Sequence, residues 1–224
     1  MKKKPLKYIG IICGLLLVAL GVIAFMQRDN IQSYLMSKQH TSEELNQLLN
    51  DEKIDTQNLL AQYLPEGLRD LTAEEEFLII SGKMTLEEAL TAMGITDGEE
   101  SAGGGNSTDE EAQAAAIIAK YTSRLYGVKA SFLGQLGSIA SAAKNEFYSL
   151  PAEERNSSSK ASIISKYMGR ASSLEGSCDG QVSSILSAMR SDLKAIGADT
   201  SVVGKLQSSY ESQKAAEKAY FLSL

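Results

Sequence analysis

An uncharged run extends from Tyr8 to Met26 and is preceded by four lysines within the first seven residues. As a helix, these nineteen residues would span about 28 Å, close to the thickness of the hydrocarbon core of a bilayer. Because the lysines lie only on the N-terminal side, we expect that side to stay in the cytoplasm. The sequence therefore predicts a basic cytoplasmic tail at residues 1–7, a single-pass transmembrane signal-anchor helix at residues 8–26, and an exported remainder at the cell membrane.

A cleaved signal peptide is the alternative interpretation of the same run. Val22-Ile23-Ala24 would allow cleavage after Ala24, because small residues precede such a cut. We favour the uncleaved anchor for two reasons. The run is longer than a signal-peptide core, and no polar stretch separates that core from the possible cleavage position at Ala24. Cys13 does not indicate a lipoprotein, because Ile12 precedes it where a small residue is expected.

Charge divides the chain into three zones. Residues 1–26 carry four lysines and no acid, residues 27–106 carry five basic and sixteen acidic residues, and residues 107–224 carry thirteen basic and twelve acidic residues. The middle zone is typical of an acidic stalk, which we place at residues 27–95. Neither exported zone is basic enough for nucleic-acid binding, so we predict no nucleic-acid partner.

The stalk carries the signals of several short helices. Thr41, Thr72 and Thr85 are each followed three residues later by a glutamate, which is the capping-box pattern of helix starts. Gly82 and Gly94 stand where helices would end. The apolar side chains predict a core too small to be stable by itself. That core consists of Leu45, Leu48, Leu49, Leu59, Leu60, Leu64, Leu68, Leu71, Phe77, Leu78, Leu86, Ala89, Leu90 and Met93.

A glycine-rich linker at residues 96–108 leads to a predicted extracytoplasmic domain at residues 109–224. Its pattern predicts three helices, at about residues 109–149, 159–196 and 200–224. Because the connections between them are short, neighbouring helices should run antiparallel. We therefore predict an all-α fold, with a short-helix stalk and an elongated, coiled-coil-like hairpin or bundle of three helices.

Apolar residues recur every three or four positions along the first two of these helices, which is the spacing of one buried helix face. The first stripe is Ile118, Tyr121, Leu125, Val128, Phe132, Leu136, Ile139, Ala143, Phe147 and Leu150. The second is Ile164, Tyr167, Ala171, Leu174, Cys178, Val182, Ile185, Met189, Leu193 and Ile196. This spacing predicts that Cys178, the one cysteine beyond the anchor, is buried as a small apolar side chain.

Six glycines interrupt these two helices, at Gly127, Gly134, Gly137, Gly169, Gly176 and Gly180. Each costs about 1 kcal/mol relative to alanine inside a helix. We favour close approach of helix backbones as the compensating benefit. A looser bundle that can bend or open is the alternative.

The sequence contains few candidate residues for catalysis or metal binding. His40 is the only histidine and lies in the stalk, so a catalytic triad in the distal domain is impossible. The segment Gly176-Ser177-Cys178-Asp179-Gly180 resembles a protease motif, but it lies in the middle of a predicted helix and lacks a base. The Ser-x-x-Lys pairs of the distal domain are about as frequent as chance predicts, so they do not indicate a catalytic serine. We therefore expect no enzymatic activity, no catalytic residue, no cofactor and no metal site.

A surface is the remaining candidate for function. Tyr126, Tyr148, Tyr210, Tyr220, Phe221 and Leu222 include aromatic positions that need not all fit in the core. We predict an interaction patch at Tyr220, Phe221, Leu222 and Leu224, which would dock a partner or a second copy. The alternative is that these side chains cap the open end of the bundle.

Three segments together resemble single-pass membrane proteins of Gram-positive bacteria: Leu150 to Arg155, Cys178-Asp179, and Lys218 to Leu224. The resemblance implies an envelope protein and carries no catalytic motif or known activity. We expect a non-enzymatic, membrane-anchored helical scaffold or interaction module, with an envelope protein or itself as partner. The alternatives are a ligand- or peptide-binding sensing domain and a cleaved secreted helical protein.

Overall fold

The computed structural model describes residues 36–95 and 110–223, and the regular elements within them are all helical. The three shorter N-terminal helices are α1 (Ser42–Leu60), α2 (Ala73–Ile80) and α3 (Leu86–Ala92). The long helices are α4 (Glu110–Ser149), α5 (Ser157–Ala195) and α6 (Ser201–Ser223), with a single 3-10 turn at Ala152–Glu154. The predicted all-α class is confirmed for this part of the chain.

The predicted tail at residues 1–7, anchor at residues 8–26 and linker at residues 96–108 lie outside the described residues. Within the described ranges, none of the helices has both the length and the apolar character that crossing a bilayer requires. The anchor and the linker therefore stay predictions from sequence.

Side-chain caps explain where the short helices begin. At Thr72 and at Thr85, the threonine oxygen accepts a hydrogen bond from the amide three residues later, and the glutamate there binds the threonine amide in return. Thr41 makes the same pair of bonds with Glu44, at 3.2 and 2.7 Å. All three capping boxes are as predicted, and each satisfies amide groups that a helix start would otherwise leave unbonded.

The helices end where glycines permit it. Gly82 and Gly94 follow α2 and α3 with φ of 71° and 77°, and Gly67 forms the turn after Pro65 with φ of 94°. These left-handed conformations are strained for residues with a Cβ atom. Gly94 is the most constrained, because a Cβ added there would lie 2.9 Å from the carbonyl carbon of Gly67.

The described residues divide into two compact units. Within the described residues, unit 2 comprises residues 51–95, 110–135 and 176–212. Residues 51–95 of the predicted stalk and residues 110–135 of the predicted distal domain thus lie in the same unit. The short helices are packed against a long helix, which supplies the apolar partners that so small a core needs.

Unit 2 holds two apolar clusters. The first joins the end of α1 to α4, α5 and α6, and its buried members are Leu60, Ile118, Tyr121, Cys178, Val182, Leu186, Met189, Leu193, Val202, Val203 and Leu206. The second joins the short helices to α4 alone, and its buried members are Leu71, Ile79, Ala89, Met93, Tyr126 and Ala130. Cys178 forms no disulfide among the described residues and is buried in the first cluster, as its spacing predicted.

Unit 1, described at residues 36–50, 136–175 and 213–223, contains the hairpin between α4 and α5. The Arg155 guanidinium donates to the backbone oxygens of Tyr148 and Leu150, at 2.7 and 2.9 Å, and so closes the turn. On the two helices, Glu146 accepts hydrogen bonds from Lys166 and Tyr167 at 2.7 and 2.8 Å. These contacts place α4 and α5 antiparallel on either side of the turn.

Three predicted core residues of the stalk are exposed instead. Leu48, Phe77 and Leu86 are 37, 41 and 43% exposed, so the prediction was wrong for them. The reason is that each short helix contacts its neighbours through a narrow face, which Ile79 occupies in α2 and Ala89 in α3. Adjacent apolar residues then point elsewhere.

The prediction of close helix packing at glycines fails at three positions. A Cβ added to Gly169, Gly176 or Gly180 would meet no described atom within 4 Å. At Gly127 and Gly134 it would lie 3.9 Å from side-chain carbons of Leu90 and Ile79, which is ordinary contact. Backbone approach therefore does not account for the glycines on α5.

Candidate functional site

Unit 2 contains a charge cluster of four side chains, Lys53, Asp70, Glu76 and Lys129. Lys129 on α4 binds both oxygens of Asp70 at 2.8 and 2.9 Å and one oxygen of Glu76 at 2.6 Å. Lys53 on α1 binds both oxygens of Glu76 at 3.0 Å. The four side chains are 14 to 26% exposed, so two cations and two anions lie together with little access to solvent.

Local structure sets each of these positions. Asp70 immediately precedes Leu71 and the Thr72 cap of α2, and its carboxylate also accepts the amide of Leu71 at 2.7 Å. Glu76 lies one turn after that cap, because the amide of Glu76 bonds to the Thr72 carbonyl. The capping box therefore directs both carboxylates to one side of α2, where α4 presents Lys129.

The electrostatics of the cluster favour the charged forms. Burial alone would lower the pKa of Lys129, but Asp70 and Glu76 outweigh burial and raise it. Burial alone would raise the pKa of Glu76, and Lys129 and Lys53 outweigh it and lower that pKa. Burial, reinforced by the charge of Asp70, raises the pKa of the Tyr126 hydroxyl.

A second ion pair adjoins the cluster. Arg69 forms two parallel hydrogen bonds to Glu75, at 2.7 and 2.8 Å. This bond, helped by the Thr72 amide, lowers the pKa of Glu75 from 4.5 to about 2. Glu75 thus caps α2 and binds Arg69 at the same time, which fixes the loop before the helix.

The charge cluster has the chemistry of a structural ion network that holds helices together. Perturbed pKa values often mark functional sites, but structural ion networks perturb them equally. Here both cations are paired with carboxylates, and the lowered pKa of Glu76 keeps that carboxylate ionised at neutral pH. The arrangement joins α1, the start of α2 and α4, because each of them contributes at least one charge.

Polar contacts also join α6 to its neighbours in unit 2. The Tyr210 hydroxyl donates to Asp179 at 2.6 Å and lies 3.9 Å from the Cys178 sulfur. Burial and the bond to Asp179 raise the pKa of Tyr210. This contact lies beyond the 196–200 connection, so α5 and α6 are antiparallel there.

The remaining chemical candidates occupy structural positions. His40 pairs with Glu44, 3.8 Å away, at the start of α1. The segment Gly176 to Gly180 lies within α5, as predicted. Within residues 36–95 and 110–223, no group of three or more histidine, cysteine or acidic side chains is arranged to hold a metal ion.

The predicted surface residues divide between the described and undescribed parts. Tyr126 is buried and belongs to the second apolar cluster, whereas Tyr148 is 39% exposed. Tyr220, Phe221 and Leu222 lie on α6, but the side chains of all three, like the whole of Leu224, lie outside what the structure describes. The predicted patch therefore stays a prediction.

Sequence reasoning missed the charge cluster. Its members are spread over seventy-seven positions, and the acids looked like the solvated faces of short helices. One signal was available: Lys129 is the only charged residue between Arg124 and Lys144. A single lysine in so long an uncharged stretch of a helix indicates a buried partner.

Neither a scan against protein-family models nor searches of curated proteins and of solved structures find a match to this chain. The resemblance to single-pass membrane proteins of Gram-positive bacteria thus stays a prediction from sequence.

Proposed function

We propose that this chain is a non-enzymatic helical scaffold or interaction module, anchored in the cell membrane through residues 8–26 and acting outside it. Its partner is an envelope protein or a second copy of the chain. The observation that carries the proposal is the charge cluster, because its ionised groups serve to hold helices together. Such groups support a fixed surface rather than a reaction.

Exposed apolar side chains on α1, α2 and α3 also support the proposal. Phe77 on α2, Leu86 on α3 and Ile54 on α1 are 41, 43 and 52% exposed. Single exposed apolar residues are normal on any surface. Phe77 and Leu86 belong to helices that the second apolar cluster places on α4 in the closed molecule, and Ile54 belongs to α1, which the first apolar cluster holds.

Anchoring is tested by fractionating cells that express the full chain with a C-terminal alkaline phosphatase fusion. The proposal expects phosphatase activity, which requires export, in a membrane fraction that resists carbonate extraction. A matched variant with Leu15→Arg and Leu17→Arg should lose this fraction, because arginine at the centre of a membrane helix costs about 3 kcal/mol. An active fusion found in the medium, beginning after Ala24, would support the secreted alternative.

The scaffold and the ligand-binding alternative differ in a thermal measurement. A small apolar ligand or peptide that binds the folded state raises its melting temperature by mass action. The scaffold proposal expects no such rise across a panel of apolar small molecules and peptides, together with specific cross-links to a protein in intact cells. A reproducible rise without any protein cross-link would favour a sensing domain.

A further inference from the structure

We propose that residues 61–95, hereafter the short-helix segment, open from α4 as one unit and uncover a face of α4 that carries Lys129. This movement lies within one molecule and goes beyond the proposed function. It follows from how differently the two apolar clusters of unit 2 are built.

The second apolar cluster belongs to the short-helix segment and to two turns of α4. Its buried members are four residues of the segment together with Tyr126 and Ala130 of α4. Leu133 is the one α4 residue among its partly buried members. Among the described residues, no side chain of α5 or α6 takes part, so the segment can leave without opening the contacts between the long helices.

The element before the segment is fixed separately. Leu60 of α1 is buried in the first apolar cluster, with α4, α5 and α6. Glu52 of α1 accepts hydrogen bonds from Ser209 and Ser212 of α6, at 3.3 and 3.0 Å. Opening therefore starts after α1 and also releases Tyr63 and Leu64, which pack against the first cluster from the start of the segment, while α1 remains on the long helices.

The segment has little stability of its own. Its helices α2 and α3 are eight and seven residues long, and isolated helices of this length are not stable in water. Its fold therefore depends on contact with α4. Elements with few buried apolar contacts open locally at a lower free energy than the whole molecule.

The charge cluster attaches the segment to α4 and α1. Asp70 and Glu76 belong to the segment. Both pair with Lys129 of α4, and Glu76 also pairs with Lys53 of α1. Removing Lys129 leaves two neighbouring carboxylates with less compensating charge, which favours their return to water. The face that opening uncovers combines the Tyr126 ring and Ala130, 8 and 0% exposed in the closed molecule, with the Lys129 ammonium.

Hydrogen–deuterium exchange of the purified full chain in detergent tests the proposal. In the wild-type protein, amides of residues 73–93 should exchange at least about tenfold faster than those of residues 182–193 in α5, because the segment opens on its own. Lys129→Ala should accelerate exchange in residues 61–95 further and leave residues 182–193 unchanged.

Lys214→Ala is the matched control. Lys214 is 30% exposed and pairs with Glu175 at 3.0 Å in unit 1, so its loss should not affect the segment. Glu76→Gln, which preserves side-chain shape, replaces Lys129→Ala if that variant does not fold. Equal wild-type exchange in the segment and in α5, or equal acceleration of both by the variant, would overturn the proposal. These results do not depend on a partner, so they are separate from the test of the proposed function.

Discussion

The ammonium nitrogen of Lys129 on α4 lies 2.6 Å from a carboxylate oxygen of Glu76 on α2. Glu76 also binds Lys53 of α1, so one carboxylate links three helices that are far apart in sequence. A carboxylate enclosed between two cations resists protonation. The stability of unit 2 should therefore depend on acid through this residue.

We predict that Glu76 stabilises the fold above about pH 4.5 and that this contribution is lost as pH falls. Its pKa is lowered in the folded state from an ordinary value of 4.5, so the unfolded chain takes up the proton first and unfolding becomes easier in acid. Urea unfolding between about pH 3 and pH 7 measures this.

Glu76→Gln should flatten that acid dependence. The control is Glu74→Gln, which removes an exposed carboxylate from the same helix and should leave the curve unchanged. Identical pH profiles for the wild-type protein and Glu76→Gln would contradict this account of the charge cluster.

Thr122→Val should stabilise the protein by about 1 kcal/mol. The Thr122 side chain is 1% exposed, and its hydroxyl has no hydrogen-bond partner among the described residues. Valine has nearly the same shape and no polar atom to bury. Thermal unfolding compares it with Thr56→Val, which should destabilise by a similar amount because the Thr56 hydroxyl donates to the Glu52 carbonyl at 2.8 Å. A destabilised Thr122→Val variant would show that the hydroxyl is needed.

Two glycines with similar backbone conformation should respond differently to alanine. Gly82→Ala should cost about 1 kcal/mol, for the left-handed conformation alone. Gly94→Ala should cost about 3 kcal/mol, because its Cβ would also overlap the carbonyl group of Gly67 and force that loop to move. Urea unfolding of both variants measures the difference, and equal costs would show that the loop at Gly67 yields freely.

Gly180→Ala should stabilise α5 by about 0.8 kcal/mol. Gly180 lies within α5, and an added Cβ would meet no described atom within 4 Å. Helical content and melting temperature of the purified chain report the effect. A lower melting temperature would contradict the finding that no other part of the same molecule packs closely against the glycines of α5.

Local signals predicted much of the fold. Threonine–glutamate caps and helix-ending glycines act over three or four residues, so Thr72 with Glu75 and Gly82 are enough to specify where α2 begins and ends. The long helices begin and end within two residues of the predicted limits. At the ends of these helices, a proline or a short polar connection interrupts the apolar spacing, so the limits could be predicted from sequence.

Tertiary partners could not be predicted in the same way. Which face of a short helix is buried depends on where α4 lies, and so Phe77 and Leu86 were wrongly placed in the core. The pairing of Lys129 with Asp70 and Glu76 joins residues more than fifty positions apart, and no local pattern specifies it. Glycine spacing was also ambiguous, because an exposed glycine and a packed glycine look alike in sequence.

Photo-cross-linking in intact cells tests the proposal that this chain is an anchored interaction module. A photo-reactive phenylalanine analogue would replace Phe221 of the predicted patch or Phe77 on α2, in the full-length tagged chain. Ser208, exposed on α6, and Glu74, exposed on α2, are the matched control positions. We expect a discrete adduct with one envelope protein or a second copy from Phe221 or Phe77, and none from the controls. An anchored, folded chain that gives no discrete adduct from either aromatic position would contradict it.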